Sequence, residues 1–422
     1  MTLPINQRSR ILTSVVILLA MTLLASSASA ELTPKQAEQL RAKIRAALFI
    51  PNPLPDLDVK SYGSFSPTPD VVIEKVTYAT EYGMRVPADI FRPAHSTGRL
   101  PAIVMIDGHG ADKSTWYTWY TGILYARAGA IVLSYDPVGE GERNDDHKDG
   151  TSEHDREIDV PTMPARMGGL MLTDAMQAVS YLLQRKDVAP HRVAVLGFSM
   201  GSFIASIDGA ADPRIHAMLL TGGGDLDGPG GYWDSSHDVM CQSGPYHALA
   251  FLGDRGAMIF ALRALSGPTM IINGSSDTVV DIPHHGPEFF AELRQRAITA
   301  RGSSTNAFET IFLPGVSHRP NWIMKPAAEW LDHQLHFANW HGKTLIARPT
   351  VDIGTWAAQV GLHLNRSSMR LDRDAGIPAL AADVPLLTPN QLDVLPLAAW
   401  ESQKAQFVYS AWVQHALTDA RR

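Results

Sequence analysis

The residues with the clearest capacity for chemistry are a serine, an aspartate and a histidine, in that order along the chain. Ser199 lies at the centre of Gly197-Phe198-Ser199-Met200-Gly201, a G-x-S-x-G pattern that follows the apolar run Val193–Leu196. Asp277 ends Asn273-Gly274-Ser275-Ser276-Asp277, just past the apolar run Thr269–Ile272. His318 ends Pro314-Gly315-Val316-Ser317-His318, just past Phe308–Leu313. A serine hydroxyl is a weak nucleophile at neutral pH, so it needs a base, and the base needs a group that orients it. Ser199, His318 and Asp277 supply those parts, and the chemistry they imply is acyl transfer with water as the final acceptor. Asp281, four residues further on, competes with Asp277 as the acid. Acyl transfer also builds negative charge on a carbonyl oxygen. One expected donor is the N–H of Met200, at the start of a helix. The second is expected near Gly110 or Ala111, in the loop Asp107-Gly108-His109-Gly110-Ala111; His109 itself reads as structural rather than as a second base.

These side chains need a frame that delivers each of them to one edge. The run before Ser199 reads as a buried strand, and Phe203, Ile204, Ala205 and Ile207 after it suit a helix, so Ser199 falls on a tight strand–turn–helix corner. Val71–Thr80 and Arg85–Arg92, around Tyr82-Gly83, read as an antiparallel hairpin. Short apolar strands then alternate with helical segments: Ala102–Ile106, Thr115–Ala128, Ala130–Tyr135, Leu170–Gln184, Arg192–Leu196, His216–Leu220, Thr269–Ile272, Pro287–Arg296, Phe308–Leu313 and Pro326–Phe337. That alternation predicts an α/β fold: a mainly parallel sheet opened by a hairpin, with helices on both faces. Active sites of such sheets lie at the C-terminal ends of the strands, where both the Asp277 and the His318 loops are expected.

The catalytic unit is expected over residues 71–341. Before it, residues 31–70 read as an amphipathic helix opened by the capping box Thr33–Gln36, with Leu40, Ile44 and Leu48 on one face, followed by proline-rich linkers at Pro51–Asp58 and Ser64–Asp70. Two segments break the rhythm: a charged loop, Asp136–Pro164, and a glycine-rich then apolar stretch, Gly222–Ala264, which reads as a wall or lid over the site. Residues 342–422 read as a helical extension, with a capping box at Thr388–Gln391 and one helical run, Leu397–Leu417.

Composition narrows the function classes. The 422-residue chain is 45% hydrophobic and 19% charged, with a net charge of −7, and it has no long basic run, so nucleic acid is not an expected partner. Arg8 and Arg10, the apolar run Ile11–Ala25 and Ala28-Ser29-Ala30 read as a secretory signal peptide over 1–30, which predicts a secreted or periplasmic protein with no membrane span after cleavage. The single cysteine, Cys241, has no intrachain partner for a disulfide. His284-His285 lacks a matching ligand cluster nearby in sequence, so neither a metal nor a cofactor is expected. The spacing leaves the oligomeric state open.

The sequence resembles bacterial α/β-hydrolases of the acetyl xylan esterase-like group. The resemblance covers about Val71–Trp340. It rests on V-P-A-D-I-F-R-P at Val86–Pro93, D-G-H-G-A-D-K at Asp107–Lys113, Y-D-P-V-G-E-G-E-R at Tyr135–Arg143, the G-F-S-M-G corner, D-P-R-I at Asp212–Ile215, and the Asp277 and His318 loops. It implies hydrolysis of carboxylic esters, often acetyl groups on sugars, so the expected partner is a small-molecule or carbohydrate ester. It also implies that the Asp136–Arg143 turn sits near the site, its charges ordering the loop. A peptidase or lactone hydrolase on the same three residues is the alternative, and a binding module on an inactive fold is a third reading. The extension beyond Gly342 is not covered by the resemblance.

Overall fold

The computed structural model describes residues 31–148, 153–228, 231–235, 240–364 and 377–421. The expected signal peptide lies outside the described residues. Nine strands form one sheet: β1 Lys60–Thr68, β2 Val71–Ala79, β3 Arg85–Pro93, β4 Leu100–Ile106, β5 Ile131–Tyr135, β6 Val188–Phe198, β7 Ala217–Thr221, β8 Thr269–Gly274 and β9 Glu309–Leu313. Their spatial order is β1-β2-β3-β5-β4-β6-β7-β8-β9. Pairing is antiparallel from β1 to β5 and parallel from β5 onward. The hairpin and the parallel series thus stand where the apolar runs put them.

The parallel strands are apolar at nearly every position because both sheet faces are covered. Along β4 and β6 successive side chains alternate between two cores. Val104, Ile106, Val193 and Val195 join helices Met163–Gln184 and Met200–Ala211 on one face. Ile103, Met105, Ala194 and Leu196 join helices Trp116–Ala128 and Lys325–Leu335 on the other. The N-terminal helix, Pro34–Ala47, begins at the Thr33–Gln36 capping box and buries Ile44 in the first of these cores, together with Leu48 just beyond its end.

Two segments differ from expectation. The stretch expected as a linker around Ser64–Asp70 is largely the edge strand β1. Its register against β2 shifts twice, and its Ser- and Gly-containing run stays mostly solvent-facing, so it lacks the alternation that marks a half-buried strand. The extension is also less regular than a helical appendage. It contains a small two-stranded sheet, Thr350–Asp352 with Pro378–Leu380, and the run expected as one helix is Leu397–Gln403, a turn at Lys404–Gln406, and Tyr409–Ala420. The break lets two tryptophans reach different targets. Trp400 packs with Val394, Leu395, Phe407 and Val408, and its Nε1 donates to the Glu142 carbonyl at 2.8 Å. Trp412 Nε1 donates to Glu81 Oε2 at 3.0 Å. No helix among the described residues is long and apolar enough to cross a membrane.

Glu81 makes this docking pH-dependent. Burial pushes its carboxyl up to about 8 from an ordinary 4.5, against the lowering effect of the bonds from Trp412 and Thr173. Between those values the native chain holds a proton that the unfolded chain has released, so stability falls as pH rises through the window. The contribution is full below 4.5 and lost above about 8. Glu81→Gln, which copies the protonated carboxyl, is expected to flatten the decline of Tm with pH across that range. An unchanged slope in the variant would assign the decline to other groups.

Candidate functional site

Each of the six parallel strands hands a segment of chain to the same sheet edge. Ser199 follows β6 on a corner with φ 55° and ψ −120°, a strained conformation for a residue with a side chain. The corner closes only because its flanks are glycine. A Cβ on Gly197 would stand 2.5 Å from the Gly201 carbonyl oxygen, and one on Gly201 would stand 2.0 Å from that of Ile106. Helix Met200–Ala211 starts at the next residue, so the N–H of Met200 has no acceptor within its own helix and faces the serine end.

Asp277 and His318 meet beneath this corner. His318 Nδ1 donates to Asp277 Oδ2 at 2.8 Å, and both side chains are buried. Asp277 Oδ1 accepts from the amides of Val279 (3.0 Å) and Val280 (3.3 Å), which fixes the carboxylate's orientation. With Nδ1 carrying the hydrogen, the Nε2 lone pair of a neutral ring is available as a base. The His318 ring packs on Phe198, the residue before Ser199, at 4.8 Å between centroids. Asp281, the competing acid, contacts His284 Nδ1 at 2.6 Å on the exposed side of its loop. His285 Nδ1 donates to the Val280 carbonyl at 3.1 Å, so the His284-His285 pair is held by separate local contacts.

The loop after β4 departs from expectation. The Gly110 N–H donates to Glu140 Oε1 at 3.1 Å, and the Ala111 N–H to the Gly108 carbonyl at 3.3 Å. Both expected oxyanion donors are therefore already engaged, Gly110 by a neighbouring loop and Ala111 within its own. The part of the loop that touches the serine lies earlier: a Cβ on Gly108 would stand 2.9 Å from Ser199 Cβ, so the backbone entering His109 passes directly by the corner. The Gly110 contact could have been foreseen from sequence only by anticipating that Glu140 reaches across from another loop.

The Asp136–Arg143 turn is held from below by buried charge. Lys113 Nζ lies 2.8 Å from Asp136 Oδ2 and 2.7 Å from Glu142 Oε2, and all three side chains are almost wholly buried. Breaking such a buried group by removing one member costs about 3–5 kcal/mol. Glu142 also accepts from the amides of Val394 (2.9 Å) and Leu395 (3.2 Å), so the extension braces the turn whose Glu140 holds the loop after β4.

Above Ser199 lies a cavity of about 580 Å³. Met200, Phe203, Leu226 and Trp233 give it apolar lining; His109, Asp155 and Asp225 give it polar lining. Burial, with Asp277, Asp227 and Asp281 nearby, pushes Asp225 up to about 7. The segment Gly222–Ala264 divides into two parts. Tyr232 and Trp233 border the cavity, and Trp233, against Phe203 at 5.0 Å, also joins the core. Met240, Tyr246 and Leu252 belong to the core, and Phe251 faces solvent.

A group that sequence reasoning missed adjoins the cavity. His109 Nε2 lies 3.0 Å from Cys241 Sγ and 3.2 Å from Asp155 Oδ1; the Cys241 thiol donates to Asp155 Oδ1 at 3.2 Å. The His154 ring stacks on His109 at 5.3 Å and donates from Nδ1 to the Val138 carbonyl at 2.6 Å. Burial holds His154 down at about 4, so its ring is neutral at physiological pH. Burial, then Asp155, push the Cys241 thiol up.

Comparison with known proteins bears on the fold and on residues 56–221. Residues 56–221 match the model of the acetyl xylan esterase (AXE1) family. YtaP of Bacillus subtilis (strain 168) is 27% identical over 146 residues, which are 32% of this chain and 47% of that protein. The match therefore spans under half of YtaP. Protein Rv2307c of Mycobacterium tuberculosis (strain H37Rv) is 27% identical over 250 residues, 59% of this chain and 72% of its own. Among solved structures, methylesterase BT1017 aligns over 90% of this chain and 71% of its own, with a TM-score of 0.53 and 17% identity. Acetyl xylan esterase from Paenibacillus sp. R4 aligns over 71% and 94%, with a TM-score of 0.50 and 14% identity. The chain thus has the α/β-hydrolase fold, and its residues 56–221 carry the pattern of the acetyl xylan esterase family.

Proposed function

We propose that the protein is an exported serine esterase that removes small acyl groups, acetyl first among them, from carbohydrate or similar alcohols. The observation that carries this reading is the buried His318–Asp277 pair beside a strained serine that opens on a cavity. In this reading Nε2 of His318 takes the Ser199 proton as Oγ attacks the ester carbonyl. The N–H groups of Met200 and His109 hold the oxyanion, and His318 returns the proton to the leaving alcohol. Water then repeats the sequence and releases the acid. His318 becomes a cation at each proton transfer, and Asp277 stabilises that cation and keeps the ring in place.

The cavity supports the substrate class. Its volume falls within the range of small-ligand sites, which suits a short acyl group with a sugar ring. Asp155 and Asp281 on its lining disfavour an anionic chain and suit a neutral acetylated sugar. The test is a panel of p-nitrophenyl acetate, acetylated xylose, longer acyl esters, a sugar methyl ester and an aminoacyl anilide. Fastest turnover of the acetyl compounds supports the proposal, and fastest turnover of the anilide overturns it in favour of a peptidase. Export is tested by the N-terminus of protein recovered from periplasm or medium, expected to begin after Ala30.

Trp233 is placed to gauge the acyl group. Trp233→Ala is expected to shift the preference between acetyl and longer acyl esters by about 1–3 kcal/mol, the scale of a methylene or two in an apolar pocket. A lowered Tm with unchanged preference would assign Trp233 to the core alone.

A further inference from the structure

We propose that His109, His154, Asp155 and Cys241 form a zinc site that clamps together the three loops around the Ser199 cavity. Their ligand atoms all lie within 4.8 Å of one another. Four of the separations are 3.0, 3.2, 3.2 and 3.8 Å. Tetrahedral zinc, with bonds to nitrogen, oxygen and sulfur near 2.0–2.3 Å, sets its ligands about 3.3–3.7 Å apart. The cluster is therefore close to the span a four-coordinate ion needs.

Hydrogen bonding alone accounts for three members. Cys241, Asp155 and His109 satisfy one another in pairs. It does not account for His154. That side chain is fully buried, and its Nε2 has no hydrogen-bond partner; the nearest carboxylate oxygen, of Asp155, is 3.8 Å away. Because Nδ1 donates to the Val138 carbonyl, Nε2 carries the lone pair and aims it into the cluster. A backbone carbonyl behind a ligating imidazole is the usual arrangement that fixes the ring for a metal.

The donor chemistry selects the ion. Two imidazoles and a thiolate with one carboxylate favour a borderline-soft cation over magnesium or calcium. Binding displaces the Cys241 thiol proton to solvent, and the thiolate and carboxylate then balance the two charges of Zn²⁺. The loaded site is neutral overall, which suits a site with two of its four ligands fully buried. The ligands come from three segments: His109 from the loop after β4, His154 and Asp155 from the charged loop, and Cys241 from the wall. The ion would fix the loop that passes Ser199 without touching the reacting atoms, so these are positioning residues. The inference stands whether or not the substrate is an acetyl ester.

The test uses the whole chain, purified without a histidine tag, stripped by a chelator and titrated with Co²⁺ and then Zn²⁺. The expected result is one Co²⁺ per chain, with a tetrahedral visible spectrum and a thiolate-to-cobalt charge-transfer band, displaced by one Zn²⁺. Cys241→Ser should remove the charge-transfer band, and His154→Gln should weaken binding by at least about tenfold. Ser199→Ala should keep both band and stoichiometry, which separates this site from the esterase reading. Wild-type protein that takes up neither ion, or a charge-transfer band that survives Cys241→Ser, overturns the proposal. The wild-type spectrum decides even if a variant fails to fold.

Discussion

Ser199→Ala is expected to lower kcat for a soluble acetyl ester by about 10⁴-fold or more, with the fold intact. Three features set the size of this loss. The serine stands on a corner closed by two glycines, so its hydroxyl is presented rather than packed. It borders the cavity, where an ester would lie. The ring of its neighbour Phe198 packs on that of His318, the proposed base. His318→Ala should cost about as much, and Ser199→Ala with His318→Ala together little more, because proton acceptor and nucleophile act as one unit. Losses that multiply in the double variant would mean that His318 is not the base.

Asp277→Asn carries the second large effect, again about 10⁴-fold in kcat. The carboxylate accepts the Nδ1 hydrogen of His318 while two amides hold its other oxygen. An asparagine there must either present its NH₂ to His318, which drives the imidazole to the wrong tautomer, or flip against the amides of Val279 and Val280. Asp281→Asn should lower kcat far less, since its carboxylate contacts His284 in the same turn rather than His318. Equal losses at the two positions, measured at matched Tm, would remove Asp277 from its role.

Much of this was legible in the chain because local patterns carried it. The Ser199 corner could be read from an apolar strand, two glycines and a following helix, since only small residues permit so tight a turn. The Asp277 and His318 loops could be read because each follows a short apolar strand. What could not be read depends on long-range pairing. Glu140 takes the Gly110 amide from a neighbouring loop, and nothing local to Gly110 signals this. Strand β1 is an exposed edge, so its residues lack the alternation that burial imposes. The expected helix Leu397–Leu417 breaks because Trp400 and Trp412 serve different buried acceptors, at Glu142 and Glu81. The His109–His154–Asp155–Cys241 group draws on three separate segments and matches no compact ligand spacing.

The most direct measurement of the central claim is covalent capture. Folded protein is treated with a fluorophosphonate, digested and mapped by mass spectrometry. The account predicts one adduct, on Ser199, formed at a rate that falls sharply in His318→Ala and Asp277→Asn and is absent in Ser199→Ala. Protein that hydrolyses acetyl esters yet carries its adduct on another residue, or carries none, would contradict it.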